Sequence, residues 1–143
     1  MLWRTLTGSG AGEWSYLFNE RANAASKYGW ACVNGINGIL ILPDSWTQPS
    51  GVLFVPSTVN YYTNTYTTSQ WALMENNGAV FLPAAGIRRF HDVSGVDSEG
   101  WYWSSWHHFE GATHYLGFDG SFLNPFDFYA KSVGLSVRLV QDL

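Results

Sequence analysis

The chain has 143 residues, of which 46% are hydrophobic, 17% aromatic and only 13% charged, and its formal net charge is −4. This composition excludes a disordered chain, which would be poor in aromatics and rich in net charge. Seven Lys and Arg residues are scattered along the sequence and no apolar run is long enough to span a bilayer, so we expect neither nucleic-acid binding nor membrane insertion.

The first predicted elements are a helix and two short strands. Residues 13–25 place apolar side chains at helical spacing, which predicts a helix. Residues 30–33 predict a short strand, and residues 39–42, a continuous apolar run, predict a buried one. The Asn-Gly dipeptides at 34–35 and 37–38 predict two turns between these strands.

A second, short helix is predicted from a capping pattern. Thr67 and Gln70 have the spacing of a capping box, and the helix would run through Trp71 and Met74 to end near Gly78.

The remaining chain predicts strands connected by long loops. Turn-forming residues recur between 105 and 132, and residues 134–140 alternate apolar and polar side chains as a half-buried strand does. The candidate strands are 79–82, 86–90, 101–104, 115–118 and 134–140. We therefore predict an α+β fold with two helices and a twisted, mainly antiparallel sheet carrying long loops.

The aromatic residues are concentrated near the C-terminus. Residues 101–129 hold eleven of them, together with three of the four histidines, His107, His108 and His114. Neighbouring side chains in a strand point to opposite faces, so a small core cannot take all of these rings. Some are expected to be exposed, and exposed aromatic clusters commonly mark binding sites.

Four motifs in order carry a resemblance to a known family. They are LPDSW at 42–46, GAVFLPAAG at 78–86, YWSS at 102–105 and GLSVRLV at 134–140. The match around them spans roughly Trp3 to Val140, nearly the whole chain. The set resembles the C-type-lectin-like variable proteins of diversity-generating retroelements, found in gut Bacteroidetes and their phages.

The resemblance implies a C-type-lectin-like fold whose ligand-binding surface is diversified near the C-terminus. In that family an error-prone reverse transcriptase rewrites adenines, mostly in AAC codons. Carried over by position, with neighbouring polar and aromatic side chains included, the implied ligand-binding residues are Trp101, Trp106, His107, His108, Phe109, His114, Tyr115, Gly117, Asp119, Ser121, Phe122, Phe126, Asp127, Phe128 and Tyr129. Leu116, Phe118 and Leu123 fall at positions that the family keeps apolar.

Codon chemistry gives an internal check on this assignment. Codons ending in C cannot encode Trp, Lys, Glu, Gln or Met, and between residues 107 and 129 only Glu110 belongs to that set. Trp101 and Trp106 depart from the pattern, because changes at the adenines of AAC do not produce Trp.

Metal binding and catalysis have less support. His107, His108, Glu110 and His114 lack the spacing of a zinc-binding helix, and the Glu-Pro-Asn or Gln-Pro-Asp triplet of calcium-dependent lectins is absent. The single cysteine, Cys32, excludes an intramolecular disulfide and fits a small buried hydrophobe. We predict no enzyme activity, no cofactor and no metal.

The sequence thus predicts one domain over residues 1–143, forming the C-terminal part of a longer protein. Its expected function is non-covalent recognition of a surface protein or glycan receptor on a target cell, as at a phage tail-fibre tip or in a surface adhesin. The expected location is extracellular, on a virion or a bacterial surface, with a homotrimeric parent. The alternatives are a glycan-binding lectin and a static structural module of a fimbrial or surface protein.

Overall fold

The computed structural model describes residues 27–138 and, apart from residues 106–108 and 125–126, their side chains. Of these residues 47% lie in strands and 11% in helices, and the strands form two sheets. The predicted α+β fold of two helices beside one sheet with long loops is therefore wrong. The predicted helix over 13–25 lies outside the described residues.

The first sheet has four strands in the order β3-β1-β2-β4. They are β1 (Tyr28–Val33), β2 (Ile36–Ile41), β3 (Thr65–Tyr66) and β4 (Val80–Pro83). Asn34 and Gly35, which join β1 to β2, have φ of 51° and 82°. Two consecutive positive φ angles define a tight turn that matches strand twist. This predicted turn is confirmed.

The predicted turn at 37–38 is wrong, because both residues lie inside β2. Gly38 sits there because β4 packs against it closely. A Cβ on Gly38 would stand 2.4 Å from the carbonyl oxygen of Leu82 and 2.6 Å from the Phe81 ring. The glycine serves a close approach between strands.

The short helix predicted from the capping pattern is confirmed as α1 (Thr68–Asn76). The Thr67 hydroxyl accepts from the Gln70 backbone N–H at 3.3 Å, and the Gln70 side-chain oxygen accepts from the Thr67 N–H at 3.0 Å. Both donors would otherwise lack helical partners. A 3₁₀ turn (Tyr61–Thr63) precedes it.

The second sheet has five strands in the order β6-β5-β7-β8-β9. They are β5 (Ala85–Arg89), β6 (Asp92–Val96), β7 (Gly100–Phe109), β8 (Ala112–Phe118) and β9 (Leu123–Ala130). The turn-forming residues between 105 and 132 predict long loops. In the structure they lie instead in tight connections, such as the one at Gly111 with φ of 85°, and at the register shift between β8 and β9.

The strand predicted over 134–140 forms only two isolated bridges within its described part. Gly134 pairs with Arg88 and Ser136 with Tyr102. Leu135 is buried but Val137 is 65% exposed, so the alternation predicted one buried position and not a continuous strand.

The hydrophobic core joins the two sheets. Trp30 and Ile39 from the first sheet pack with Leu116, Phe118 and Leu123 from the second. The Trp30 indole also donates a hydrogen bond to the carbonyl oxygen of Asp119 at 2.7 Å. Leu116 and Phe118 are buried as predicted, whereas Trp103 is only half-buried.

A second cluster lies between the first sheet and α1, where Leu40, Leu42 and Met74 are buried. Cys32 is buried on β1, as its strand position predicted. Among residues 27–138 the helices are too short and polar to cross a membrane.

A buried and a half-buried tyrosine predict a loss of stability at high pH. Burial raises the pKa of Tyr28 to about 12, and burial together with the Asp119 carboxylate raises the pKa of Tyr61 to about 12. An unfolded tyrosine ionises near about 10. The stabilisation is complete below pH of about 10 and is lost as the pH rises towards about 12, because the unfolded chain then releases protons that the folded chain keeps. Urea midpoints should fall over this range and fall less steeply in Tyr28→Phe; a flat profile would contradict the prediction.

Candidate functional site

The predicted ligand-binding residues lie on β7, β8, β9 and the turn between β8 and β9. The three strands are antiparallel, with Trp101 opposite Gly117 and His114 opposite Phe128. Because alternate side chains of a strand face opposite ways, the site residues separate onto two faces of this sheet.

Phe109 and Phe128 form an exposed aromatic pair at the end of the sheet. Their ring centroids are 5.8 Å apart at 68°, and the rings are 52% and 46% exposed. They line an open depression of about 330 Å³, hereafter the aromatic groove. Its lining residues are Phe109, Glu110, Gly111, Ala112, Phe128, Tyr129 and Ala130.

The His114 ring packs against Phe128 of this pair. His114 is buried, its ring meets the Phe128 ring edge-on at 6.4 Å, and its Nδ1 lies 3.2 Å from the carbonyl oxygen of Asp127. The imidazole therefore fixes the position of an exposed ring and offers little surface of its own to a ligand.

On the other face four aromatic rings form a ladder across the sheet. Phe122 contacts Trp101 at 5.8 Å, Trp101 contacts Tyr115 at 5.1 Å, and Tyr115 contacts Tyr129 at 6.3 Å between centroids. The guanidinium of Arg89 lies 5.7 Å from the Tyr129 centroid, a cation–π contact. Tyr115 is buried and the other three rings are half-buried, so the ladder packs the sheet together while keeping an accessible edge.

The Asp127 carboxylate holds the irregular part of β9. Its Oδ2 accepts from the Tyr115 hydroxyl at 3.0 Å and from the Asn124 amide at 3.3 Å, and its Oδ1 accepts from the Phe128 N–H at 2.8 Å. Burial raises the pKa of Tyr115, and its hydrogen bond to Asp127 raises it further, so the phenol stays a donor. The carboxylate thereby sets the direction in which β9 presents Phe128.

Asp119 organises the turn between β8 and β9. Its Oδ1 accepts from the Ser121 N–H at 2.7 Å, from the Ser121 hydroxyl at 2.8 Å and from the Phe122 N–H at 3.1 Å. Its carbonyl accepts from Trp30. Asp119 is thus committed to the fold on both its side chain and its main chain.

The site residues therefore differ in how they could meet a ligand. Those with exposed side chains are Phe109, Ser121 and Phe128; half-buried are Trp101, Asp119, Phe122, Asp127 and Tyr129; buried are His114, Tyr115 and Gly117. Trp106, His107, His108 and Phe126 lie in β7 and β9, and their side chains lie outside the described set.

Sequence reasoning missed Asn124 and the contact role of Arg89. Asn124 is buried beside Asp127, and nothing in its local sequence signals that role. Arg89, at the end of β5, is exposed and also covers the Tyr129 ring.

Within residues 27–138 the described side chains bring together no group of three His, Cys, Asp or Glu residues that could hold a metal ion. Comparisons of the chain with protein-family models, with curated proteins and with solved structures find no match.

Proposed function

We propose that this chain is a recognition domain that binds a surface protein or glycan receptor on a target cell non-covalently. The contact surface is formed by residues 101–129, and the parent protein is a phage tail fibre or a bacterial adhesin located outside the cell. In a homotrimeric parent, three copies would raise a weak single-site affinity.

The observation that carries the proposal is the exposed Phe109–Phe128 pair over the aromatic groove. When a partner covers these two half-exposed phenyl rings, the complex is stabilised by roughly 25 cal/mol for each Å² of apolar area buried. Aromatic anchors surrounded by polar side chains are the usual arrangement of an energetic centre in a binding interface.

The packing around the Phe109–Phe128 pair supports the same function. His114, Asp127 and the aromatic ladder hold the strands through ring contacts and hydrogen bonds, whereas Phe109 and Phe128 are exposed on them. Side chains that project from a rigid sheet can change without disturbing the fold, which is what a diversified binding surface requires.

The first test uses the labelled domain on a glycan array and on a panel of bacterial cells, each with and without EDTA. We expect wild-type binding to at least one surface and a loss of at least tenfold in Phe109→Ser/Phe128→Ser, since aromatic anchors commonly contribute more than about 1.4 kcal/mol each. Tyr62→Ser is the control, because Tyr62 is an exposed aromatic on the 3₁₀ turn and does not line the aromatic groove.

Three outcomes separate the alternatives. Binding confined to glycans indicates a lectin, and its loss in EDTA would add calcium. Binding to cells after protease treatment of the target also favours a glycan receptor. A wild-type domain that binds no surface, or a double variant that binds as well as wild type, would contradict the proposal and favour a static structural module.

The proposed diversification has its own test in the flanking DNA. We expect a near-identical repeat of the segment encoding residues 101–129, differing at adenines, beside a reverse transcriptase gene. Absence of such a repeat would leave the recognition function standing and remove the diversification.

A further inference from the structure

The sequence contains three Asn-Gly dipeptides, and the structure places them in three different environments. They are residues 34–35, 37–38 and 77–78. Asparagine is a chemically labile residue, and it is most labile before glycine, because a glycine nitrogen has no neighbouring Cβ to hinder its attack on the asparagine amide. Since the dipeptide is the same in all three places, differences in its reactivity are set by the fold.

The first dipeptide forms the turn between β1 and β2. Asn34 and Gly35 are both exposed, and a Cβ placed on Gly35 would meet no atom within 4 Å. Among residues 27–138 neither the side-chain amide of Asn34 nor the N–H of Gly35 has a hydrogen-bond partner. Both reacting groups are therefore free, and the open space around Gly35 lets the turn change its dihedral angles.

The second dipeptide is held inside β2. Asn37 is 7% exposed, its amide nitrogen donates to the Asp97 carbonyl at 3.0 Å, and its backbone N–H donates to the Asp97 carboxylate at 3.2 Å. Gly38 lies between Ala31 of β1 and Pro83 of β4. Strands on both sides therefore oppose the rotation that would bring the Gly38 nitrogen onto the amide carbon of Asn37.

The third dipeptide ends α1. Asn77 and Gly78 are exposed, so solvent reaches them as it reaches the turn between β1 and β2. Here, however, the Asn77 amide nitrogen donates to the Leu73 carbonyl at 2.8 Å. The Gly78 N–H donates to the Glu75 carbonyl at 2.8 Å. Both the leaving group and the nucleophile are thus occupied, and two hydrogen bonds must break before they can react.

We propose that Asn34 is a site of spontaneous deamidation, whereas Asn37 and Asn77 are protected by the fold. The Gly35 nitrogen gives its proton to solvent base and forms a bond to Cγ of Asn34, while the Cγ–Nδ2 bond breaks and Nδ2 leaves with a proton as ammonia. Water then opens the resulting succinimide ring at one of its two carbonyls. The product is aspartate or isoaspartate at position 34, and water is the only other reactant.

The two products differ in their effect on the fold. Aspartate tolerates positive φ as asparagine does, so a turn with φ of 51° at position 34 keeps its shape and gains one negative charge. Isoaspartate carries the main chain through its side chain and so lengthens a turn of two residues. The longer turn strains the pairing of Val33 with Ile36. It also strains the hydrogen bond from the Asn34 N–H to the Tyr66 carbonyl at 2.8 Å, which links β1 to β3.

The test incubates the folded full chain in mildly alkaline buffer and maps chymotryptic peptides by tandem mass spectrometry. Each conversion raises the peptide mass by about 1 Da, and electron-transfer fragmentation separates isoaspartate from aspartate. Peptide 31–40 contains both Asn34 and Asn37, so the two sites are compared in one molecule. A sample digested at time zero corrects for reaction during digestion.

We expect Asn34 to react at least about tenfold faster than Asn77, because two hydrogen bonds that must first break are together worth about that factor. Asn37 should react no faster than Asn77, since burial inside the sheet adds to its hydrogen bonds. Incubation in concentrated urea is the control, because the three dipeptides lose their different environments there and their rates should converge. Equal rates in the folded chain, or the same ratio of rates in urea, would contradict the proposal.

Asn34→Asp is the matched variant for the effect on the fold. Freshly purified, it has the charge of the product without the longer main chain, so its melting temperature should equal that of fresh wild type. Aged wild type should develop a second, lower transition in proportion to its isoaspartate content. A single unchanged transition in an isoaspartate-rich sample would overturn the predicted strain on β1. The receptor-binding test uses fresh protein, so its outcome is independent of this one.

Discussion

Trp30→Ala is expected to lower the free energy of unfolding by about 3–5 kcal/mol, the range for removing a large aromatic side chain from a core. Trp30 is fully buried, and its ring meets Tyr28 at 6.2 Å and Phe118 at 6.1 Å, so it packs against both sheets. The variant also loses the hydrogen bond to the Asp119 carbonyl, which fixes the turn between β8 and β9. Domains of this size have only about 5–15 kcal/mol of stability, so a large part of it would be lost.

Thermal unfolding followed by circular dichroism checks this prediction. We expect the melting temperature to fall by about 10–20 °C, given several degrees for each kcal/mol in a chain of this length. Trp71→Ala is the matched control, because Trp71 is half-buried and packs mainly on Phe81 at 5.9 Å. Trp30→Phe keeps a ring but removes the indole donor. Its melting temperature should lie between those of Trp30→Ala and Trp71→Ala. Equal losses in Trp30→Ala and Trp71→Ala would contradict the proposed role in joining the sheets.

Asn64→Leu is expected to cost at least about 3 kcal/mol although it keeps the side-chain size, because buried polar groups left without partners cost about 1–3 kcal/mol each. Asn64 is buried, and its amide donates to the carbonyls of Trp30 at 3.0 Å and Val55 at 2.9 Å. Its side-chain oxygen accepts from the Val55 N–H at 2.8 Å. A leucine can replace none of these bonds.

Urea unfolding provides the measurement for Asn64. Asn60→Ala is the control, because Asn60 is exposed and its side chain accepts a single hydrogen bond, from the Tyr62 N–H at 2.9 Å. The midpoint should fall much further in Asn64→Leu than in Asn60→Ala. Similar midpoints would mean that water or a small backbone shift satisfies the main-chain groups around position 64.

The parts of the fold that could be predicted are those fixed by local chemistry. The turn at Asn34 and Gly35 and the capping box of Thr67 and Gln70 each depend on residues within three positions of one another. Sheet pairing depends on distant residues, and this is why β9 escaped prediction. Its Asn, Pro and Asp residues suggest a loop, yet Asp127 accepts hydrogen bonds from β8 and β9 that hold them in a strand.

The candidate site could be located from sequence but not resolved into its faces. Clustering of aromatics predicted the region, whereas the exposure of Phe128 beside a half-buried Tyr129 follows from the register of β9 on β8.

The outer strands of the five-stranded sheet bear on aggregation. Open sheet edges can pair with those of another molecule, and proteins reduce this risk with prolines and local distortions. In β9 Pro125 has no N–H to offer a new strand, and in β6 Gly95 has φ of 71°, which interrupts an even ladder. Edge strands interrupted in this way are less able to pair with those of another molecule. Such a sheet can vary its exposed apolar side chains and still remain dispersed at high local concentration.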